Sequence, residues 1–195
     1  MLFDAHDATI AVMDNVKTFE DVSDADWHFS SVVWASSREV MLGTAEREFD
    51  PLSDTSRATI AQGLYNLDHG STHGENIFTD VESSDWYYAA STWAAERNVV
   101  LGVGDGMFAP DSLVTREQFA TMLYRYSGAN NESPTVNLEM FVDASRVSDW
   151  ASDAVRWAVD NGILKGKDGS RLDPLGNATR AEIAMMLRRY AEFSQ

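Results

Sequence analysis

Cysteine is absent from the 195-residue sequence, basic residues are few, and no long apolar run occurs. The lack of cysteine excludes disulfide bonds, thiolate zinc sites and cysteine nucleophiles together. Lysine and arginine total 15 against 31 aspartates and glutamates, and the net charge of −16 disfavours a nucleic-acid binder, because neutralising phosphates needs clustered cations. It equally disfavours binding to an anionic membrane. No stretch approaches about 18 uninterrupted apolar residues, so we expect no membrane insertion.

Hydrophobic residues make up 44% of the chain and aromatic residues 11%, which is enough for a packed core and excludes disorder of the whole chain. The start of the chain carries Asp4, Asp7 and Asp14 and no basic segment, so it does not read as a signal peptide. We therefore expect either a cytosolic protein or an internal piece of a longer exported one.

One pattern occurs three times along the chain. Each copy has a Phe-x-Asp segment, an Asp-Trp pair, a Trp-Ala pair, a glycine, a proline and an arginine, in that order. The two tryptophans of a copy are always 7 residues apart, the second tryptophan and the proline 17, and the proline and the arginine 6. Such constant spacing predicts tandem repeats. The paired tryptophans are Trp27 and Trp34, Trp86 and Trp93, and Trp150 and Trp157, and the arginines are Arg57, Arg116 and Arg180.

The repeats define the expected organisation of the chain. We place the three copies at residues 19–70, 78–128 and 141–195, after a leader at residues 1–18. Apolar residues at roughly helical spacing predict a short helix in residues 3–14. The joins between copies are rich in glycine, serine, asparagine and aspartate, as is typical of loops.

Each copy reads as helix, loop, helix. The first helix is predicted to start directly after the Asp-Trp pair, with Asp85 and Asp149 as N-caps and with Trp86 opening an apolar face that continues to Arg97. The second helix is predicted to start in capping boxes at residues 115–118 and 179–182, where a threonine and a Gln or Glu satisfy each other's backbone amides. Ser56 begins a weaker version in the first copy. The expected class is mainly α.

The motifs Phe-x-Asp-Val, Asp-Trp, Trp-Ala, Gly-x-x-Asp-Gly-x-Phe-x-Pro and Thr-Arg-Ala-Glu, in this order, resemble the S-layer homology module. The resemblance covers about residues 19–190 as three tandem copies. It implies a pseudo-threefold assembly in which one helix of each copy joins a central bundle, and three lobes project with grooves between them. The first copy departs from the pattern at residues 44–48, which lack the Asp-Gly turn, and at residues 56–59, so we expect its groove to be the weakest.

The resemblance also implies a function. Modules of this family anchor exported bacterial proteins, without a covalent bond, to a secondary cell-wall polysaccharide that often carries ketal-linked pyruvate. We therefore expect a non-catalytic, cofactor-free module at the bacterial cell surface, within a larger exported protein, bound to an acidic wall glycan. Two alternatives stay open: a protein-interaction or assembly module, and, more remotely, a glycan-cleaving enzyme.

The three arginines are the first candidates for contact with an acidic glycan. Each stands at the first position of a helix, where free amides and the helix dipole favour anions, and a guanidinium can hold a carboxylate with two hydrogen bonds. Arg116 and Arg180 lie within complete capping boxes and have an Asp-Gly turn upstream, which Arg57 lacks. We therefore expect them to contribute more to glycan binding than Arg57. Exposed at a helix start, they should contribute little to stability. The alternative is that each arginine pairs with an aspartate of a neighbouring lobe as a structural bridge.

Other candidates surround the arginines in each copy. Sugar rings stack on indoles, so the expected site includes the first tryptophan of each copy, although these could instead be core residues of the lobes, whereas we expect the second tryptophan of each copy in the core. The candidates are Trp27, Trp86 and Trp150, the preceding Asp26, Asp85 and Asp149, and the turn Gly104, Asp105 and Gly106. The turn could offer amides to a sugar or serve only as a tight turn.

Metal and catalytic motifs are not found. The Asp-Gly turns lack the oxygen ligands and terminal glutamate of a calcium loop. His69 and His73 have zinc-like spacing but lie on a glycine-rich join, which favours a solvated linker. The sequence shows no nucleophile elbow, phosphate loop or dinucleotide fingerprint. We predict no metal site.

Overall fold

The computed structural model describes residues 17–129 and 134–194, and the helix predicted within residues 3–14 lies outside them. The described part contains two α-helices per copy, which confirms the mainly α class. The longest helix has 14 residues, and no helix of these segments is long and apolar enough to cross a membrane. The helices are α1 (Phe29–Ser37), α2 (Arg57–Leu67), α3 (Tyr88–Glu96), α4 (Arg116–Ser127), α5 (Ser152–Asp160) and α6 (Arg180–Phe193). Short 3₁₀ helices span Leu138–Met140, Ala144–Arg146 and Asp149–Ala151.

The first helix of a copy begins later than predicted. The N-cap of α3 is Tyr87 and makes no side-chain cap, and Asp85 instead accepts the backbone N–H of Glu82 at 2.8 Å. Asp149 begins a 3₁₀ helix, and the N-cap of α5 is Ala151. The prediction that Asp85 and Asp149 cap these helices is therefore wrong. Each aspartate lies two residues upstream of the cap position, where an intervening turn comes before the helix.

The second helix of each copy begins as predicted. Thr115 accepts the N–H of Gln118, whose side chain accepts the N–H of Thr115, and the same reciprocal pair forms at Thr179 and Glu182. In the first copy Ser56 accepts an N–H at 3.3 Å, but the third helical residue is a threonine, so the return bond is missing. These caps depend only on neighbouring residues, which is why the sequence predicts them well.

The second helices α2, α4 and α6 form a central bundle. A Cβ atom added at Gly63 of α2 would lie 3.6 Å from Leu187 of α6. The rings of Tyr126 in α4 and Tyr190 in α6 are 5.4 Å apart, and Tyr126 donates to Asp68, just after α2, at 3.3 Å. Helix α6 thus lies against both α2 and α4, and α4 is joined to the residue that ends α2, so the predicted central bundle is confirmed.

Each second helix also packs against the first helix of the following copy. Helix α2 packs on α3, α4 packs on α5, and α6 closes the circle by packing on α1. Because each of these three helix pairs joins two copies, each copy depends on its neighbours to complete its core. This arrangement follows from the small apolar face that two short helices can bury alone.

A closed ring of three backbone hydrogen bonds links the copies just before these helices. Thr55 donates to Ala178 at 3.0 Å, Ala178 donates to Val114 at 2.9 Å, and Val114 donates to Thr55 at 3.0 Å. The three residues hold equivalent positions in their copies and are fully buried. The ring needs one residue from each copy, so it exists only when all three are assembled.

Replacing Thr55 by valine should stabilise the protein. The Oγ1 of Thr55 is buried and has no hydrogen-bond partner in the described part of the chain, and an unpaired buried hydroxyl costs roughly 1–3 kcal/mol. Valine is the residue at the equivalent position of the second copy. We expect the Thr55→Val melting temperature to rise by about 2–4 °C for each kcal/mol gained, as measured by thermal unfolding. A lower melting temperature would show that the hydroxyl has a partner after all.

Candidate functional site

The three helix-start arginines bridge successive copies. Arg57 of the first copy donates from Nε to the carbonyl oxygen of Phe108 at 2.8 Å and from Nη2 to that of Leu101 at 2.7 Å, both in the second copy. The other two arginines repeat this arrangement around the ring. Arg116 donates to Leu172 and Lys165 of the third copy, and Arg180 donates to Phe49 and Leu42 of the first, all at 2.7–2.9 Å.

These arginines are buried rather than exposed. Arg57 and Arg180 are 8% exposed and Arg116 is 2% exposed. The burial contradicts the expectation that they are exposed, on which their small contribution to stability was based. Each arginine does bridge to a neighbouring copy, but its partners there are backbone carbonyl oxygens and not an aspartate. The physical reason is that each helix start faces the loop of the next copy, so the guanidinium fills the space between two copies.

The helix-start amides are also occupied. The N–H of Arg57 donates to Ser112 and that of Ala58 to Pro110, each at 3.0 Å, and the third amide is capped by Ser56. Equivalent bonds start α4 and α6. The expected anion site of free amides beside the arginine is therefore absent from these three described helix starts, because loop carbonyls of the next copy take the amides.

Two open grooves lie beside the bridging arginines. Groove 1 has a volume of about 690 Å³, and groove 2 has a volume of about 290 Å³. Groove 1 is lined by Arg180, Leu42, Gly43, Thr59, Gly63 and Trp86, among others. Groove 2 is lined by the equivalent Arg57, Leu101, Gly102, Gln118, Met122 and Trp150.

Both grooves combine residues of all three copies. The arginine comes from the preceding copy, the loop and the second helix from the copy itself, and the tryptophan from the following copy. Arg57 thus belongs to the groove of the second copy, and the groove of the first copy uses Arg180. The predicted ranking, which tied Arg57 to the turn and cap of its own copy, loses its basis, because the structure pairs each arginine with the next copy.

The arginines of grooves 1 and 2 lack an acidic partner. Among the residues described, no carboxylate lies within 4.0 Å of Arg57 or Arg180. Each guanidinium instead lies over a phenylalanine ring, Arg57 5.3 Å from the centroid of Phe108 and Arg180 4.7 Å from that of Phe49. Burial lowers the pKa of both arginines, opposed by the charges of nearby aspartates, and a guanidinium remains protonated under such conditions.

The equivalent arginine that faces the third copy takes part in an internal ion network. Arg116 Nη1 lies 3.3 Å from Glu182 Oε1, and Lys167 lies 3.2 Å from the same oxygen. Lys167 also bonds Asp173 at 2.9 Å, and this bond is the main cause that lowers the pKa of Asp173. The side chains of Arg116 and Glu182 are 3% and 9% exposed, so this arginine already has a counter-ion.

The first tryptophan of each copy is exposed and the second is mostly buried. Trp86 is 63% exposed and Trp150 58%, and they line grooves 1 and 2. Trp27 is also 58% exposed. The prediction that Trp86 opens the apolar helix face is wrong, because Trp86 lies in the turn before α3, and so is the alternative that these three are lobe-core residues.

The core prediction for the second tryptophans holds for two copies of three. Trp93 and Trp157 are buried, with at most 1% of their surface exposed. Trp34 is only partly buried and packs against the edge of the core, where the guanidinium of Arg38 lies 5.4 Å from its ring. The first copy thus exposes more of its second tryptophan than the other two copies do.

The aspartates and the turn glycines have structural roles. Asp26 and Asp85 each accept a backbone N–H at 2.8 Å from the residue three positions earlier. Gly104, Asp105 and Gly106 form a tight turn with positive φ angles of 116°, 52° and 74°. Contact of these residues and of Asp149 with a sugar stays a prediction. His69, expected in a solvated linker, lines groove 1.

The aspartate of the Phe-x-Asp motif in each copy holds the loop that the arginine of the preceding copy contacts. Asp80 accepts the N–H groups of Phe108 at 2.7 Å and Ala109 at 2.8 Å. Burial tends to raise the pKa of Asp80, but these bonds and the charge of Arg57 outweigh it and lower the pKa. Asp21 and Asp143 hold the equivalent loops. The Phe-x-Asp motif, present three times, was the signal for this role.

Glu117 attaches the loop that carries Trp150 to helix α4. Its carboxylate accepts the backbone N–H of Ser148 at 3.0 Å and the hydroxyl of Ser148 at 2.7 Å, and the residue is 2% exposed. The equivalent residues of the other copies are Ala58 and Ala181, so the repeat pattern gave no reason to select Glu117.

Replacing Glu117 by alanine should destabilise the protein and loosen the Trp150 loop. The change leaves two donors of Ser148 unpaired, and hydrogen bonds to charged groups are worth about 1.5–3 kcal/mol. We expect a lower melting temperature and a changed Trp150 fluorescence maximum in a background that lacks the other exposed tryptophans. Glu192→Ala is the matched control, because its pair with Arg188 is exposed and worth at most about 1 kcal/mol. Equal melting of both variants would contradict the role of Glu117.

Comparison with known proteins gives one family and several relatives. The family described as S-layer homology domain matches residues 18–61, 77–120 and 141–184. The chain is 29% identical over 186 residues, 93% of its length, to an amylopullulanase of Thermoanaerobacterium thermosulfurigenes. It is 33% identical over 156 residues, 78% of its length, to the surface-layer 125 kDa protein of Lysinibacillus sphaericus. A cellulosome-anchoring protein of Acetivibrio thermocellus is 28% identical over 153 residues, 74% of the chain. The chain spans 10%, 13% and 33% of the length of these relatives.

Proposed function

Because the chain belongs to the S-layer homology domain family, we propose that it is a non-catalytic module that anchors a larger exported protein to the bacterial cell wall. Its ligand is an acidic secondary cell-wall polysaccharide, and the acidic group is a ketal-linked pyruvate. The glycan binds in grooves 1 and 2. The relatives are surface-layer, anchoring and glycan-degrading proteins by name. All of them are much longer than this chain, which is consistent with a module shared by larger proteins of different kinds.

The observation that carries the proposal is the common build of the two grooves. Each is lined by a protonated arginine and by an exposed tryptophan. The guanidinium has five N–H donors, and Arg57 and Arg180 use only Nε and Nη2 toward loop carbonyls. The Nη1 side is left for a carboxylate, and an indole face nearby offers a surface for a sugar ring.

The local charge explains how so acidic a protein holds an acidic glycan. The net charge of −16 repels anions at long range, but salt screens this repulsion beyond about 8 Å. Within the groove, the ligand meets a largely buried cation with no carboxylate within 4.0 Å among the described residues. The third arginine, Arg116, is paired with Glu182, so grooves 1 and 2 carry the binding.

Removing the pyruvate from the polysaccharide should abolish most of the binding. A hydrogen bond to a charged group is worth about 1.5–3 kcal/mol, so affinity should fall by about tenfold to a hundredfold. The measurement is retention of the chain on purified wall polysaccharide before and after mild acid removal of the ketal, with the re-pyruvylated polymer as control. Equal retention on both polymers would contradict a charge-based site and favour stacking on neutral sugars.

The same assay separates anchoring to glycan from the two alternatives. Retention on wall protein but not on purified polysaccharide would indicate a protein-interaction module. Release of soluble sugar from the polysaccharide by the purified chain would indicate an enzyme. We expect retention without sugar release.

A further inference from the structure

Groove 1 is much larger than its counterpart. Its volume of about 690 Å³ lies within the range of about 300–1,000 Å³ that is usual for small-molecule sites, whereas the 290 Å³ of groove 2 is at the lower limit. Eight lining positions are equivalent in the two grooves, and groove 1 extends further, over residues 38–41 and over Tyr65, His69 and Gly70.

The largest change in side-chain size lies on the second helix of each copy. The residue that faces the groove is Gly63 in α2, while the equivalent residues are Met122 in α4 and Met186 in α6. Met122 lines groove 2 and is 4% exposed, and Met186 is 1% exposed. Gly63 lines groove 1 and has no side chain where the other copies place a methionine. Thr59, shorter than the equivalent Gln118, widens the same groove.

The backbone does not require a glycine at position 63. The residue lies in the interior of α2 and has no positive φ. A Cβ atom placed there would have Leu187, Val40 and Met41 as its nearest neighbours, at 3.6–3.7 Å, which is ordinary van der Waals contact. Glycine in a helix interior also lowers helix stability relative to alanine. The backbone conformation is therefore not the reason for this glycine, which lies where α2 approaches Leu187 of α6 and also lines groove 1.

The chemistry beside Gly63 suits a neutral sugar. Gln62 donates to Asn66 at 2.8 Å, and Asn66 donates to the carbonyl oxygen of Glu39 at 2.9 Å. Amide side chains can both donate to and accept from hydroxyl groups. In groove 2 the position of Asn66 is occupied by the cation Arg125. On this helix the extra part of groove 1 presents neutral amides, whereas the segment before α2 adds Arg38 and Glu39 to its lining.

We propose that groove 1 binds two adjacent sugar units of the glycan, the acidic one at Arg180 and a neutral one over Gly63, whereas groove 2 binds the acidic unit alone. Gly63 is then the residue that determines how much glycan groove 1 accepts. This inference rests on the proposed function, because it assumes that the acidic unit binds at the arginine.

Titration of the ¹⁵N-labelled full chain tests each groove separately. The probes are the methyl glycoside of the pyruvylated sugar and the disaccharide in which that sugar is joined to its neutral neighbour. The amides of Gly43 and Gly102 hold equivalent positions in grooves 1 and 2 and report the two affinities. At Gly43 we expect the disaccharide to bind about tenfold more tightly than the monosaccharide, as one or two extra hydrogen bonds provide. At Gly102 the two probes should bind about equally.

Two variants assign the preference to the open space. Gly63→Met inserts the residue found in the other copies and should reduce the disaccharide preference at Gly43 to about equal affinity, with monosaccharide binding retained. Gly63→Ala also raises the helix propensity above that of glycine, as Gly63→Met does, but it adds only a methyl group to the groove. It should therefore keep the preference for the disaccharide. Thr59→Gln, which inserts the residue of groove 2, should narrow the groove independently.

The outcomes separate this inference from the function on which it rests. Equal affinities at Gly43 in the unmodified chain, or an unchanged preference in both Gly63→Met and Thr59→Gln, would overturn the second sugar position and leave anchoring intact. Loss of the preference in Gly63→Ala as well would attribute it to helix stability and overturn the role of the open space. No binding of either probe at either glycine would overturn the proposed function together with this inference.

Discussion

Replacing Arg180 by alanine should lower the melting temperature markedly. The change removes two hydrogen bonds from a buried cation, to Phe49 and Leu42, and the stacking on the Phe49 ring. Hydrogen bonds to charged groups are worth about 1.5–3 kcal/mol, so we expect a loss of about 3 kcal/mol or more. At about 2–4 °C for each kcal/mol in a chain of this size, the melting temperature should fall by about 6–12 °C.

Two further variants make the Arg180 result specific. Arg188→Ala removes an arginine of the same helix whose pair with Glu192 is exposed, and exposed pairs contribute at most about 1 kcal/mol. Arg180→Lys keeps the charge but cannot donate from two fixed positions at once, so it should melt between the alanine variant and the unmodified chain. If Arg180→Ala and Arg188→Ala had the same melting temperature, the bridge between the third and first copies would not stabilise the fold.

Ending the chain at residue 129 should abolish its cooperative unfolding. The shortened chain lacks Ala178, so the ring of three hydrogen bonds with Thr55 and Val114 cannot close. It also lacks α6, which covers α1, and Arg180. Two copies leave these faces in water, and the entropy of ordering them is no longer offset by burial. This is the largest effect that we expect for any change.

Unfolding by heat and by denaturant, with light scattering to determine the mass, measures the effect of this truncation. We expect a broad transition at low temperature, or association through the exposed faces of α1 and α4. A monomeric shortened chain with the transition midpoint of the full chain would mean that the first two copies fold as a unit of their own, and the closed assembly would not be needed for stability.

Local patterns determined much of this protein from the sequence alone. The threefold repeat, the mainly α class and the two capping boxes each depend on residues within one copy, and short-range rules describe them well. The burial of Trp93 and Trp157 followed from helical spacing. The start of α3 was misplaced because a turn between Asp85 and Tyr88 interrupts a pattern that reads as continuous helix.

The tertiary structure alone decided what the arginines do and which residues share a groove. Arg180 of the third copy contacts Leu42 of the first copy across 138 positions of sequence. Groove 1 brings the same arginine together with Trp86 of the second copy. Such pairings depend on how the three copies close around their axis, and no local spacing encodes that closure. The sequence therefore identified the residues of the site copy by copy, whereas the packing of each second helix against the next copy determined that every groove is assembled from all three.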